Sequence, residues 1–239
     1  MQILHYIKSV LSAIKCLTCG IKHTKGATIS LSAHIGGGKG IIMGTRVHIS
    51  RRASVLSEPG AKILLNGNTR LQPDSKIQAL CGSTVHIQKN TMLYPDSLIY
   101  AHRNSEIIFG EGSMLSKYSS ISSENSVSIG NNVLMGPNVF IADYNHEYRD
   151  ITKPINQQGH ISRDKEGKPN RIIIEDGCWI GKNAVVVGNV HIGRNSVIGA
   201  NSTVVKDIPA YCVAAGNPAK VLKRFDFTSG QWIRVNQNC

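Results

Sequence analysis

The sequence predicts an all-β protein, a parallel solenoid of narrow triangular coils. Three observations carry that expectation. From Ile174 to Pro209 the chain reads in sixes, I-E-D-G-C-W, I-G-K-N-A-V, V-V-G-N-V-H, I-G-R-N-S-V, I-G-A-N-S-T, V-V-K-D-I-P, and a branched aliphatic opens every unit. No single unit can bury its own apolar face, so a fixed period of this kind outranks any local propensity, and three units make one turn. The composition agrees: the 239 residues are 41% hydrophobic but only 5% aromatic, with 23 Gly, so the core must be filled by Ile, Val and Leu in a thin section. Finally, one long polar insertion interrupts an otherwise regular period, as insertions in solenoids do at a binding face.

The elements follow in order. Residues 2–17 place Ile3, Leu4, Ile7, Val10, Leu11, Ile14 and Leu17 at steps of three and four, with His5, Lys8, Ser12 and Lys15 between them. That is an amphipathic helix. Its apolar face serves either to cap the open end of the solenoid or to seat on an anionic membrane. The repeat is then opened by Met43, Ile49 and Val55, by Leu65, Leu71 and Ile77, by Ile87, Leu93 and Ile99, by Phe109, Leu115 and Ile121, and by Ile129, Met135 and Ile141. Ile174, Ile180 and Val186, then Ile192, Ile198 and Val204, complete seven coils. Ile41, Ile63, Val85, Ile107, Val127, Ile172 and Val190 each stand two places before an opener, the period-2 signature of a strand. Gly130-Asn131-Asn132, Gly188-Asn189 and Gly193-Arg194-Asn195 supply turns.

Ile141 and Ile174 are 33 residues apart where six would continue the pattern. The domain organisation expected is therefore an N-terminal cap over 1–25, a solenoid over 26–210 with an inserted loop at 143–171, and a C-terminal extension over 211–239. A short helix is expected after Pro218.

Formal net charge is +12, which favours anionic partners: nucleic acid, an acidic membrane face or a phosphorylated ligand. The six cysteines, at 16, 19, 81, 178, 212 and 239, form one C-x-x-C and no second pair at metal-ligand spacing, so they read as thiols of a reducing, cytoplasmic compartment. No metal site is expected. No stretch approaches the roughly 20 apolar residues of a membrane span.

The sixes from Ile129 to Val204, the insertion carrying Asn145-His146, and the run V-V-K-D-I-P…A-A-G-N-P-A-K-V-L-K resemble the left-handed parallel β-helix acyltransferases. The likeness is to the branch of maltose and galactoside O-acetyltransferases and polysaccharide O-acetyltransferases, and it runs from about Ser116 to Lys223. It implies a left-handed hexapeptide-repeat coil, a homotrimer with sites between neighbours, acetyl-CoA as co-substrate, and a sugar or polysaccharide-precursor acceptor rather than nucleic acid. It also implies direct transfer to a hydroxyl, with His146 as the general base. Glu147 follows that histidine where many relatives carry proline, which points toward the polysaccharide-modifying branch. Peripheral association with the inner face of the membrane would suit a lipid-phosphate-linked acceptor.

The residue chemistry fits that assignment. A sugar hydroxyl is a weak nucleophile at neutral pH, and a neutral imidazole that takes its proton contributes about 10²–10⁴-fold. Glu124 and Asp143 are the candidates to orient the base. The resemblance implies acceptor contacts at Ser116 and Glu124, and Asp143 and Asn145 are further candidates. For the donor the resemblance implies Lys182 and Ala200 along the pantetheine arm, Val205 and Lys206 beside the diphosphate, and Lys220 and Lys223 at the phosphates. Trp179 is a candidate wall of the pantetheine channel.

Other functions on a solenoid are weaker. The same fold and donor with a small-molecule acceptor (an antibiotic, serine or an amino sugar) is the alternative. A zinc hydratase needs three converging histidines, and an ice-binding or structural coil needs a regular Thr array; neither pattern is present. His48, His86 and His191 fall on outward strand positions, and His160 is a further loop histidine.

Overall fold

The computed structural model describes residues 2–22 and 24–235, with side-chain burial from residue 10 onward. Met1, His23 and residues 236–239 of the expected terminal segments lie outside the described residues, as do the side chains of Ile3, Leu4 and Ile7. One helix, α1 (Gln2–Thr18), precedes three long parallel sheets that form the faces of a prism.

The openers do what the period requires: each set places one residue on each face. Face one holds two-residue strands from Thr28–Ile29 to Val197–Ile198, face two runs from His34–Gly36 to Thr203–Val204, and face three from Ile41–Met43 to Val190–Ile192. Register is strict. On face two Val55, Ile77, Ile99, Ile121, Ile141, Val186 and Val204 pair in one column, so all seven side chains stack on the axis. All are fully buried. Each is worth about 1.5–3 kcal/mol of burial, and the column keeps a one-residue slip from occurring, since a slip would turn every core side chain outward. The residues two places before the openers are also buried, and they lengthen the strands of face three to four residues in the enlarged early coils.

The hydroxyls at the fifth position of many units are buried but satisfied. Ser75, Ser97 and Ser113 donate to the carbonyls of Gln72, Tyr94 and Gly130, each at 2.7 Å. Corners turn through left-handed residues, chiefly Gly and Asn, among them Asn132, Asn138, Asn183, Asn195 and Asn201. Asn tolerates that conformation better than other side chains do.

Two features differ from expectation. Face two has eight strands, not seven, because the coil begins earlier: Ile29 and Ile35 open a first coil that closes on Met43. The run Gly36-Gly37-Gly38-Lys39-Gly40 hides this coil by stretching its last step. The glycines are needed there. A Cβ on Gly37 would lie 1.7 Å from the Ser57 carbonyl, and one on Gly38 equally close to that of Cys19.

The C-terminal helix expected after Pro218 is absent. Cys212–Gly216 joins face one beside Val197–Ile198, the chain reverses through Gly216-Asn217-Pro218, and Ala219–Asp226 returns antiparallel, followed by Gln231–Arg234. The edge of face one offers unpaired backbone groups, and pairing with it outweighs local helix propensity for a segment rich in β-branched and aromatic residues. No helix among the described residues is long and apolar enough to cross a membrane.

Candidate functional site

Ile141 pairs with Val186 and Ile129 with Ile174 across the insertion, so the loop is extruded without shifting the coil. What holds its base is Asp143. This side chain is wholly buried, and its carboxylate accepts from Ser123 Oγ at 2.9 Å and from the backbone N–H of Glu124, Asn125 and Ser126 at 2.8, 2.9 and 2.8 Å. That corrects the expectation that Asp143 orients the base or touches the acceptor: all its acceptor capacity goes to a turn of the preceding coil.

Beyond Asp143 the chain leaves the coil through Tyr144 and forms a two-residue antiparallel ribbon. Asn145 pairs with Ile161 and His146 with His160. His146 and His160 are both exposed, with ring centroids 4.9 Å apart. Glu124, from the coil beneath, does reach an imidazole, but it is that of His160, at Nδ1, not that of His146. Tyr144 lies against His160, with centroids 4.9 Å apart, and its hydroxyl is 3.2 Å from His102 Nε2 and 3.0 Å from Ser122 Oγ. The result is a continuous polar and aromatic patch running from His102 through Tyr144 and His160 to His146. Burial pushes the His102 imidazole below its usual range, opposed by the charges of Glu124 and Asp143, and His160 adds a further lowering. Glu147 has no proton to give: the side chain and backbone N–H of Arg149 hold it down to about 2.

Ser122, His102, Tyr144 and His160 were not singled out strongly by the sequence. A signal existed for His102. Tyr100 pairs with Ser122 and Ala101 with Ser123, so His102 is stacked one coil from Glu124. Two polar residues at neighbouring coil positions beside the insertion mark its floor. Ser116 lies at a half-buried corner, its N–H donating to the Met135 carbonyl at 3.3 Å.

The donor candidates lie on the coils after the insertion. Lys182 and Ala200 are exposed on stacked corners between faces one and two. Those corners approach closely, since a Cβ on Gly181 would sit 2.6 Å from the Ala200 nitrogen. Beside them Asn138, Asn183 and Asn201 form a ladder of amide hydrogen bonds of 3.0 and 2.9 Å. Trp179 is 52% exposed on face one, between Leu134 and Val197. Val205 and Lys206 are exposed past the last strand of face two, and Lys220 and Lys223 are exposed on the returning strand, opposite Ala215 and Val213. These positions share the later half of the solenoid, and all of the named lysines are exposed. Among the described residues no three or more His, Cys, Asp or Glu side chains are grouped to hold a metal.

The class this defines is a parallel β-helix with an extruded histidine loop. The family model described as "Bacterial transferase hexapeptide (six repeats)" matches residues 171–206. Over 129 residues the chain is 32% identical to the Escherichia coli K12 protein named "Putative lipopolysaccharide biosynthesis O-acetyl transferase WbbJ", covering 54% of this chain and 66% of that one. Over 54 residues it is 54% identical to the 2,3,4,5-tetrahydropyridine-2,6-dicarboxylate N-acetyltransferase of Clostridium perfringens, covering 23% of each. The chain thus spans less than two thirds of the length of these relatives. The solved structure of the polysialic acid O-acetyltransferase OatWY superposes with a TM-score of 0.50 at 18% identity, over 83% of this chain and 84% of that one, a likeness of fold.

Proposed function

We propose that this chain transfers an acetyl group from acetyl-CoA to a sugar hydroxyl in the assembly of a surface polysaccharide or lipid-linked oligosaccharide. The observation that carries the reading is the ribbon that sets His146 at the exposed tip of an imidazole patch, on a loop pinned rigidly by Asp143. The likeness to the protein named as a lipopolysaccharide biosynthesis O-acetyl transferase supports an oxygen acceptor.

In this reading the neutral His146 imidazole accepts the hydroxyl proton as the acceptor oxygen forms its bond to the thioester carbonyl carbon. The C–S bond then breaks, and the imidazolium returns the proton to the CoA thiolate, so no group is left on the protein. A backbone N–H on the rigid corners is the cheapest donor for the oxyanion. Lys206, Lys220 and Lys223 meet the phosphates of the donor, and Lys182, Ala200, Val205 and Trp179 line its arm. Asn145 and Glu124 face the acceptor, with Ser116 contributed from a neighbouring copy in a homotrimer at the cytoplasmic face of the membrane.

The 54% identity to an N-acetyltransferase over 54 residues favours one second reading, the same donor with an amine acceptor. Acetyl-CoA thiol release with sugar and amino-sugar acceptors, on wild type and His146→Ala, separates them. The expected result is release that depends on a hydroxyl acceptor and falls by about 10²-fold or more in the variant. Release unaffected by the substitution removes His146 as the base, and release only with amines replaces the first reading by the second.

A further inference from the structure

The two ends of the solenoid differ in charge and in what their caps expose. The first 80 residues hold eleven of the 27 Lys and Arg but only two of the 15 Asp and Glu, a net +9, while the remaining 159 carry 16 against 13, a net +3. One of those two acids, Asp74, is already paired with Arg52. Three quarters of the net charge is thus concentrated at the end that α1 closes.

That helix is oriented against expectation for a simple cap. Its inward side is small: Ser12 and Cys16, four residues apart, are buried, and the Ser12 hydroxyl accepts from the Ile29 N–H at 2.9 Å. Val10, Ile14 and Leu17, spaced four and three apart, are on the opposite side and are 41%, 52% and 81% exposed. Leu31, 59% exposed, adds to them, since its carbonyl takes the Lys15 ammonium at 3.3 Å and so stands beside the helix. The chain continues from the helix into exposed Lys22 and Lys25, and the Lys25 carbonyl bonds to the N–H of exposed Arg46 at the next coil.

We propose that this end of the molecule docks on an anionic lipid surface. An aliphatic stripe flanked by Lys and Arg on a helix lying across the protein's end has the chemistry of an interfacial seat: the aliphatic groups enter the headgroup boundary and the cations meet lipid phosphates. Nucleic acid would satisfy the cations but leave the stripe in water. A second copy would cover the stripe but bring two +9 ends together. Only an anionic bilayer satisfies both features. The inference is independent of acetyl transfer and stands whether or not His146 is a base.

Co-sedimentation of the full chain with vesicles of phosphatidylcholine alone and of phosphatidylcholine mixed with phosphatidylglycerol tests it. Binding to the mixed vesicles is expected to be at least about tenfold tighter and to weaken with salt. Two variants built on exposed side chains, V10S/I14S/L17S and K22E/K25E, are each expected to lose about tenfold while keeping the far-ultraviolet dichroism of the wild type. Equal binding to both vesicle types overturns the proposal, as does full binding by the folded V10S/I14S/L17S protein. Two other outcomes also overturn it: duplex DNA stripping the protein from mixed vesicles at equal phosphate, and self-association abolished by V10S/I14S/L17S with no vesicle binding.

Discussion

Two carboxylates stand at the foot of the extruded loop, and they do opposite work. Asp143 is wholly buried and accepts four hydrogen bonds from residues 123–126, whereas Glu124 stands in the half-buried floor of the histidine patch and engages His160. A buried carboxylate persists only when its lone pairs are filled, and once filled it has nothing left for a substrate. A carboxylate at a cleft floor with one imidazole partner keeps a free edge for chemistry. Burial and partner count, rather than distance along the chain from His146, separate a structural pin from a group near the reaction.

That contrast predicts a large effect first. Asp143→Ala leaves three part-buried backbone N–H groups and the buried Ser123 hydroxyl without their acceptor, at a cost of about 3 kcal/mol or more in urea unfolding. If the variant is as stable as wild type yet inactive, the division of labour fails. Glu124→Gln keeps shape and removes charge. It is expected to change stability by less than about 1 kcal/mol, because the pair is partly solvated. Acetyl transfer should fall on the order of tenfold, less than for removal of a base. His160→Gln should match it, and the double variant should add little, since the two act as a unit. Additive losses would mean that they work separately.

The smallest effect is a pH dependence. His102 has its folded pKa lowered, chiefly by burial, so below about pH 6.5 the unfolded imidazole takes up a proton that the folded one resists. Its contribution to stability is complete above the unfolded pKa and is lost as pH falls toward the lowered folded value. As pH falls through and below about 6.5 the wild type should lose more stability than His102→Gln, measured by urea unfolding at each pH. Equal losses would mean that His102 does not titrate in its patch.

Much of this protein was legible before any coordinates. The openers from Met43 to Val204 are core residues because a period of six admits only one inward direction per face, and no tertiary accident can move them without breaking the stack. The inserted loop was legible for the same reason, as the one place where the period fails, and with it the exposed His146. The first coil was masked where the glycines of 36–38 and 40 stretch its last step from six to eight.

Three matters needed the folded chain. Whether Asp143 or Glu124 meets an imidazole depends on which carboxylate the next coil encloses, and hydropathy is blind to that. The partnership of His102, Ser122, Tyr144 and His160 joins residues from three coils and a ribbon, none of them periodic with one another. The C-terminal segment became strand instead of helix because the edge of face one was there to pair with. Periodicity in the sequence determined the scaffold, since burial is a property of each residue's own side chain. The tertiary structure decided the site and the two ends, since hydrogen-bond partners and exposed edges are properties of pairs.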